Sequence, residues 1–282
     1  MMWGALLLVL AAPLAGGLIV GADRVLTARL QGRFGPPLLQ PFYDVIKLWN
    51  KDTVVTSGRQ SFFVYAHLVW MLTALILLAT GQDFLVFVFA LAAAEVFLTF
   101  AGFSTHSPYS HIGSSRELFQ MLSAEPVLLF VAFALYVKNG TFLSGAVFRE
   151  SPLLFSYPLV FLAVLYILTI KMRKSPFDIS SGAHAHQELV RGVTTDISGR
   201  YLALTEIAHW LELVIVLYIV YLFWAAPWYA GVLLAAAAFG LEIIIDNLYA
   251  RMRLDWMVAA SWTVGFTLCL VNLFFNIATR KL

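Results

Sequence analysis

Six carboxylates and a histidine stand inside stretches otherwise built from Leu, Ile, Val, Ala and Phe. Glu95 lies near the middle of the apolar stretch 84–103, and Glu125 in 119–138. Glu206, His209 and Glu212 fall three residues apart in 202–223, a spacing that stacks them along one helix face. Glu242 and Asp246, four apart in 228–247, also share a face, with Asp246 close to the stretch's end. Insertion scales charge about 2.5–3.5 kcal/mol for an Asp at the centre of a membrane helix, so such groups face a protein interior or a wet cavity. A row of neighbouring buried carboxylates can hold and exchange protons near neutral pH. The plainer reading is that each one makes a hydrogen bond or ion pair that holds helices together. That suffices for a single residue but explains the whole set less well.

The elements that must position these groups are membrane helices. The chain has 282 residues, 61% of them hydrophobic and 12% charged, against roughly 45–50% and about 25% in soluble domains. A span needs about 20 mostly apolar residues. Stretches 2–22, 62–81, 84–103, 119–138, 153–171, 202–223, 228–247 and 256–277 meet that description. The expected fold is an all-α integral membrane protein of about eight transmembrane helices, a single polytopic domain over 1–282. The first stretch has no positive n-region and stays apolar to Ala22, so it reads as a retained helix rather than a cleaved signal.

Loops 23–61, 104–118, 172–201 and 248–255 carry most of the 18 basic residues. The opposite side has only Lys138, Arg149, Arg280 and Lys281. The positive-inside rule puts the basic loops in the cytoplasm and both termini outside. In the first loop Leu38, Phe42, Val45, Ile46 and Trp49 follow Pro36-Pro37 at helical spacing, which predicts an amphipathic helix on the membrane surface. Loop 172–201 is long and mixes charge, Gly and His, as functional loops do.

Several functions are excluded. The single cysteine, Cys269, rules out an internal disulfide and an iron–sulfur cluster held by this chain alone, which needs about four Cys ligands. No glycine-rich nucleotide motif occurs. A net charge of +2 gives no argument for nucleic acid. His184 and His186 form an H-x-H pair without a third ligand, too little for a metal site. His106 and His111 are ordinary loop residues.

Four segments carry a family resemblance. Arg24-Val25-Leu26 and Arg29-Leu30-Gln31-Gly32-Arg33-Phe34-Gly35-Pro36 run on into Leu39-Gln40-Pro41 and Asp44-Val45-Ile46-Lys47-Leu48. Gly113-Ser114-Ser115-Arg116-Glu117 leads to Gln120-Met121-Leu122-Ser123 and Glu125. Ser175-Pro176-Phe177-Asp178 precedes Glu188-Leu189-Val190 and Asp196-Ile197-Ser198-Gly199. Arg251-Met252-Arg253-Leu254-Asp255 closes the series. In order and topology they resemble subunit 1 of respiratory complex I and its bacterial counterparts. That family has a quinone-reducing branch and a branch of energy-converting NiFe hydrogenases and formate hydrogenlyases. The chain resembles the second more. It is short, Ile179 to Gln187 lacks the two further acidic residues usual in complex I, and His209 falls where complex I has a glutamate, with Glu206 one turn earlier.

The resemblance implies roles. Asp178, Glu188 and Asp196 would be the acidic part of the fifth loop, facing a soluble module. Glu95, Glu125, Glu206, His209, Glu212, Glu242 and Asp246 would carry protons or coupled charge changes into the membrane. Arg24, Arg29, Arg33, Asp44, Lys47, Arg116, Arg251, Arg253 and Asp255 would form the junction with soluble subunits. The implied function is a non-redox anchoring and coupling subunit, without a catalytic centre of its own. It would link ferredoxin-dependent proton reduction, or hydrogen oxidation, to proton or sodium translocation across the cytoplasmic membrane. Partners would be NiFe large and small subunits, an iron–sulfur subunit and an antiporter-like membrane subunit. The NiFe centre and iron–sulfur clusters would sit in those partners. The competing readings are a quinone-chamber subunit of respiratory NADH:quinone oxidoreductase, a stand-alone transporter, which the lack of repeats disfavours, and a plain membrane anchor. Neutralising Glu125 or Asp196 is expected to abolish coupling in the assembled complex.

Overall fold

The computed structural model describes residues 2–54, 57–149, 151–177 and 191–280. The chain order is α1 (Met2–Leu30), α2 (Gln40–Trp49), α3 (Gly58–Ala79), α4 (Phe84–Phe103) and α5 (Pro108–Asn139). There follow α6 (Leu153–Ser156), α7 (Pro158–Lys171), α8 (Gly199–Leu222), α9 (Trp228–Leu248), α10 (Leu254–Ala260) and α11 (Phe266–Arg280). A π-helical stretch, Ser261–Gly265, joins α10 to α11 as one continuous rod. Among the described residues seven helices are long and apolar enough to cross a membrane. The protein is an all-α, multi-pass membrane protein.

Local chemistry sets the ends. Asp83 caps α4 by accepting the N–H groups of Leu85 at 2.8 Å and Val86 at 3.3 Å. Pro108 stands in the first turn of α5, where its missing N–H costs nothing. Gly140, at φ 70°, ends α5 in the left-handed conformation that glycine adopts without strain.

Two expectations needed correction. The span expected over 153–171 is divided between α6 and α7 at Tyr157-Pro158, because proline disfavours helix at the residue before it and supplies no N–H. Alone, α7 is about 21 Å long, shorter than the roughly 30 Å hydrocarbon core. It is buried among the other helices, with Val160, Ala163, Val164, Ile167 and Leu168 at most 1% exposed. The backbone groups freed at the break are met by Asn272 of α11, whose Oδ1 accepts from Leu159 N at 2.9 Å and Val160 N at 3.3 Å. The loops are also shorter than expected, since α1 continues to Leu30 and α5 begins at Pro108.

The core lies between α3, α4, α5, α7 and α8. The first-loop helix α2 exists as expected, but it docks on protein as well as facing outward. Phe42 meets Trp210 of α8 edge-on at 5.2 Å between ring centroids. Gly17 and Gly21 of α1 make room for it: a Cβ at Gly21 would stand 2.0 Å from the Leu38 carbonyl oxygen.

Candidate functional site

Where α7 ends, the chain turns sharply through Met172, Arg173 and Lys174, and this turn gathers the charges of five helices. Lys171, the last residue of α7, pairs with Glu95 of α4, and both side chains are 4% exposed. It also lies 3.4 Å from Glu125 of α5. Arg173 donates to Glu117 of α5 at 2.7 Å and stands 3.5 Å from Glu212 of α8. His209, one turn before Glu212, brings Nδ1 to 3.4 Å from its Oε2.

Four carboxylates here face two cations. Arginine cannot give up its charge in a protein, and an unpaired buried charge is prohibitively costly. The surplus of acid groups over cations is where protons can reside.

A second cluster lies toward α1 and α9. Lys174 pairs with Asp23 of α1 and lies 3.9 Å from Asp246 of α9. Asp246 also accepts the Ser175 N–H at 3.1 Å. One turn away on α9, Glu242 is 1% exposed, and neither of its carboxylate oxygens has a hydrogen-bond partner among the described residues.

Between the clusters and the first-loop helix lies an open cavity of about 910 Å³. Its wall includes Arg24, Arg33, Asp44, Lys47, Glu206, His209, Asp246 and Arg251 from the sequence-derived set. It also includes Asp23, His67, Arg173 and Lys174. Charged and apolar side chains share this wall, with Leu48, Trp210 and Phe239 among the apolar ones. On the far side of Arg173 is a small void of about 10 Å³, lined by Glu95, Glu117, Lys171, Arg173 and Glu212 among others.

The structure thus brings together Glu95, Glu125, His209 and Glu212, with Glu206 at their cavity side, and gathers Asp246 and Glu242 into the second group. Other residues stand apart. Asp196 is engaged through its carbonyl, which accepts from Gln60 at 3.3 Å. Arg253 and Asp255 pair with each other on the surface. Arg24 and Asp44 join α1 to α2 through an ion pair of 2.7 Å. Arg29 is exposed and Arg116 half-buried on α5. Asp178 and Glu188, like His184 and His186, lie outside the described residues.

Sequence reasoning missed the cations, His67 and two of the acids, Glu117 and Asp23. Lys171, Arg173 and Lys174 read as loop bases that set orientation, although six membrane carboxylates called for buried partners. His67, 2% exposed on α3 and bonded through Nδ1 to the Ala94 carbonyl at 2.7 Å, has no polar neighbour on its own helix to betray it. Cys269 is fully buried in α11, and a lone thiol cannot supply the roughly four needed for an iron–sulfur cluster.

An all-helical membrane bundle with a buried acid-rich cluster and a cavity at its edge fits a class, the multi-pass membrane subunits of respiratory-type complexes. The chain belongs to the NADH dehydrogenase family, whose pattern it matches over residues 3–277. It is 30% identical over 293 residues to formate hydrogenlyase subunit 4 of Escherichia coli (strain K12), covering 93% of each chain. It is 24% identical over 294 residues to a NADH-quinone oxidoreductase subunit of Syntrophotalea carbinolica, covering 90% of this chain and 88% of that one. A chain in the solved structure of the membrane-bound sulfane sulfur reductase, an archaeal respiratory membrane complex, has the same fold. The TM-score is 0.87 at 21% identity, over 98% of this chain and 99% of that one. The protein is a membrane subunit of a complex I-like assembly.

Proposed function

We propose that the chain is the anchoring and coupling subunit of an energy-converting NiFe hydrogenase complex. It links ferredoxin-dependent proton reduction, or hydrogen oxidation, in peripheral subunits to ion translocation. The observation that carries this reading is the buried cluster of Glu95, Glu117, Glu125 and Glu212 around Lys171 and Arg173. Packing alone calls for no more acid groups than cations, whereas the surplus suits a subunit that shifts protons when a neighbouring charge changes. Similarity to formate hydrogenlyase subunit 4 and to hydrogenase-4 component C of Escherichia coli, 30% identical over 209 residues, supports the hydrogenase branch. Glu206 and His209 on the cavity wall support it as well, at the places where the chain departs from complex I.

On this reading the NiFe centre and iron–sulfur clusters belong to partner subunits. The face carrying Arg24, Arg33, Lys47 and Arg251 meets those subunits on the cytoplasmic side. The acidic fifth loop with Asp178 and Glu188 faces them too.

The cavity favours one alternative, the quinone-chamber subunit of a respiratory NADH:quinone oxidoreductase, since 910 Å³ could admit a quinone head. The test is to purify the complex through a tag on this chain and assay it. Hydrogen evolution from reduced ferredoxin, insensitive to quinone-site inhibitors, is expected. Inhibitor-sensitive quinone reduction without hydrogenase activity would replace this reading with the alternative.

A further inference from the structure

Arg173 lines both the open cavity and the small inner void, and among the described residues no other residue does. Its backbone is unusual as well. At φ 52° it is the one non-glycine in the left-handed region among the described residues, a conformation that persists only where the surroundings enforce it. The segment just after it is anchored at Pro176 and Phe177. Gln120 of α5 donates to the Phe177 carbonyl at 2.6 Å. The Met252 N–H donates to the Pro176 carbonyl at 2.9 Å. Tyr166 of α7 packs edge-on against Phe177. The anchored turn and the two ion pairs hold the guanidinium between Glu117 and Glu212, at the border that the cavity and the smaller void share.

A guanidinium in that position has definite consequences. It cannot release a proton, so no proton hops through it. Its fixed charge opposes a metal cation coming from the cavity, and its pairing with Glu117 and Glu212 occupies carboxylates that would otherwise attract one. The smaller void it borders, about 10 Å³, has room for about one water. Protons have a way round. His209 lines the cavity, and its Nδ1 faces Glu212 Oε2 at 3.4 Å. The imidazole takes a proton from cavity water at Nε2 and releases the Nδ1 proton to the Glu212 carboxylate. The ring then swings its bare Nδ1 to the cavity, where Nδ1 gains a proton from water and Nε2 returns one to it, so the starting tautomer is restored with no net transfer in that step. One proton enters and one leaves, and no other ion can use the route.

We propose that Arg173 and the His209–Glu212 pair form a proton-selective entrance to the buried cluster, Arg173 barring metal cations and the histidine passing protons beside it. This inference rests on the reading that the cluster moves protons. It goes beyond it by assigning the ion and the residues that select it.

The test uses the complete complex in proteoliposomes, first with an imposed sodium gradient and no redox substrate, then with redox turnover. R173Q is expected to raise passive sodium entry by at least about tenfold, and R173K to keep it near the wild-type level. H209Q is expected to stay tight to sodium while redox-driven proton uptake falls several-fold. A sodium-tight R173Q, or an R173K that leaks like R173Q, would overturn the barrier. Wild-type proton uptake in H209Q would overturn the relay. If R173Q does not assemble, R173Q/E117Q, which removes the nearest acid with the cation, replaces it with the same expected leak. Wild-type pumping in H209Q and in E95Q together would instead count against the coupling reading itself.

Discussion

Lys171 reaches from the end of α7 to the carboxylate of Glu95 on α4, and the pair is almost wholly buried. The short helix α7 thereby delivers a cation to the middle of a carboxylate group that α4, α5 and α8 would otherwise bury unpaired. Removing one partner of a buried ion pair typically costs about 3–5 kcal/mol, because the other charge is stranded. Lys171→Met is therefore expected to lower the stability of the solubilised complex by roughly that amount. Lys171→Met combined with Glu95→Gln should recover a large part of it. Thermal melts of the single and double variants check this. Strictly additive losses would mean that the two residues do not act as a pair.

Glu125 and Asp196 are expected to separate. Glu125 stands 3.4 Å from Lys171, whereas Asp196 is engaged through its backbone carbonyl, which accepts from Gln60. Glu125→Gln should lower ion translocation per turnover. Asp196→Asn should leave that ratio much closer to wild type. Both are read from vesicle acidification against turnover of the same preparation.

Asn272 holds the start of α7 inside the bundle. Asn272→Leu keeps the bulk and removes the acceptor, so two N–H groups lose their partner. The expected cost is about 1–3 kcal/mol. Asn276→Leu should cost less, since the Ser156 carbonyl it bonds also receives Asn272. Melting temperatures of the two variants give the order.

The seat of α2 depends on bare backbone in α1. Gly21→Ala would drive a Cβ into the Leu38 carbonyl, an overpacking worth about 1–3 kcal/mol. It should also loosen α2 from the cavity wall. A cysteine placed at Leu48, which lines the cavity, should then react faster with a polar thiol reagent. The native Cys269 is buried and adds little background. Gly4→Ala, with nothing near its added Cβ, serves as the neutral control.

The long apolar stretches were legible because lipid demands about 20 apolar residues in a row, and α4 coincides with its expected range. The broken span was not. Its hydropathy runs on through Pro158, and only the packing of α7 against α5, α8 and α11 shows that it need not reach both faces. Glu95, Glu125 and Glu212 were legible from the cost of a carboxylate in lipid. Their cations were hidden by the same rule read the other way, since Lys171, Arg173 and Lys174 at a span's end look like orientation signals. Which carboxylate meets which cation follows from the left-handed turn at Arg173, and no local residue pattern announces that turn.

On the proposed function, the buried acid groups around Lys171 and Arg173 couple redox turnover to proton movement. The direct measurement is protons translocated per hydrogen formed, in proteoliposomes holding the complete complex, for wild type, Glu95→Gln and Glu212→Gln. Both variants are expected to keep hydrogen formation and lose most of the translocation. Wild-type proton-to-hydrogen ratios in both would contradict that coupling.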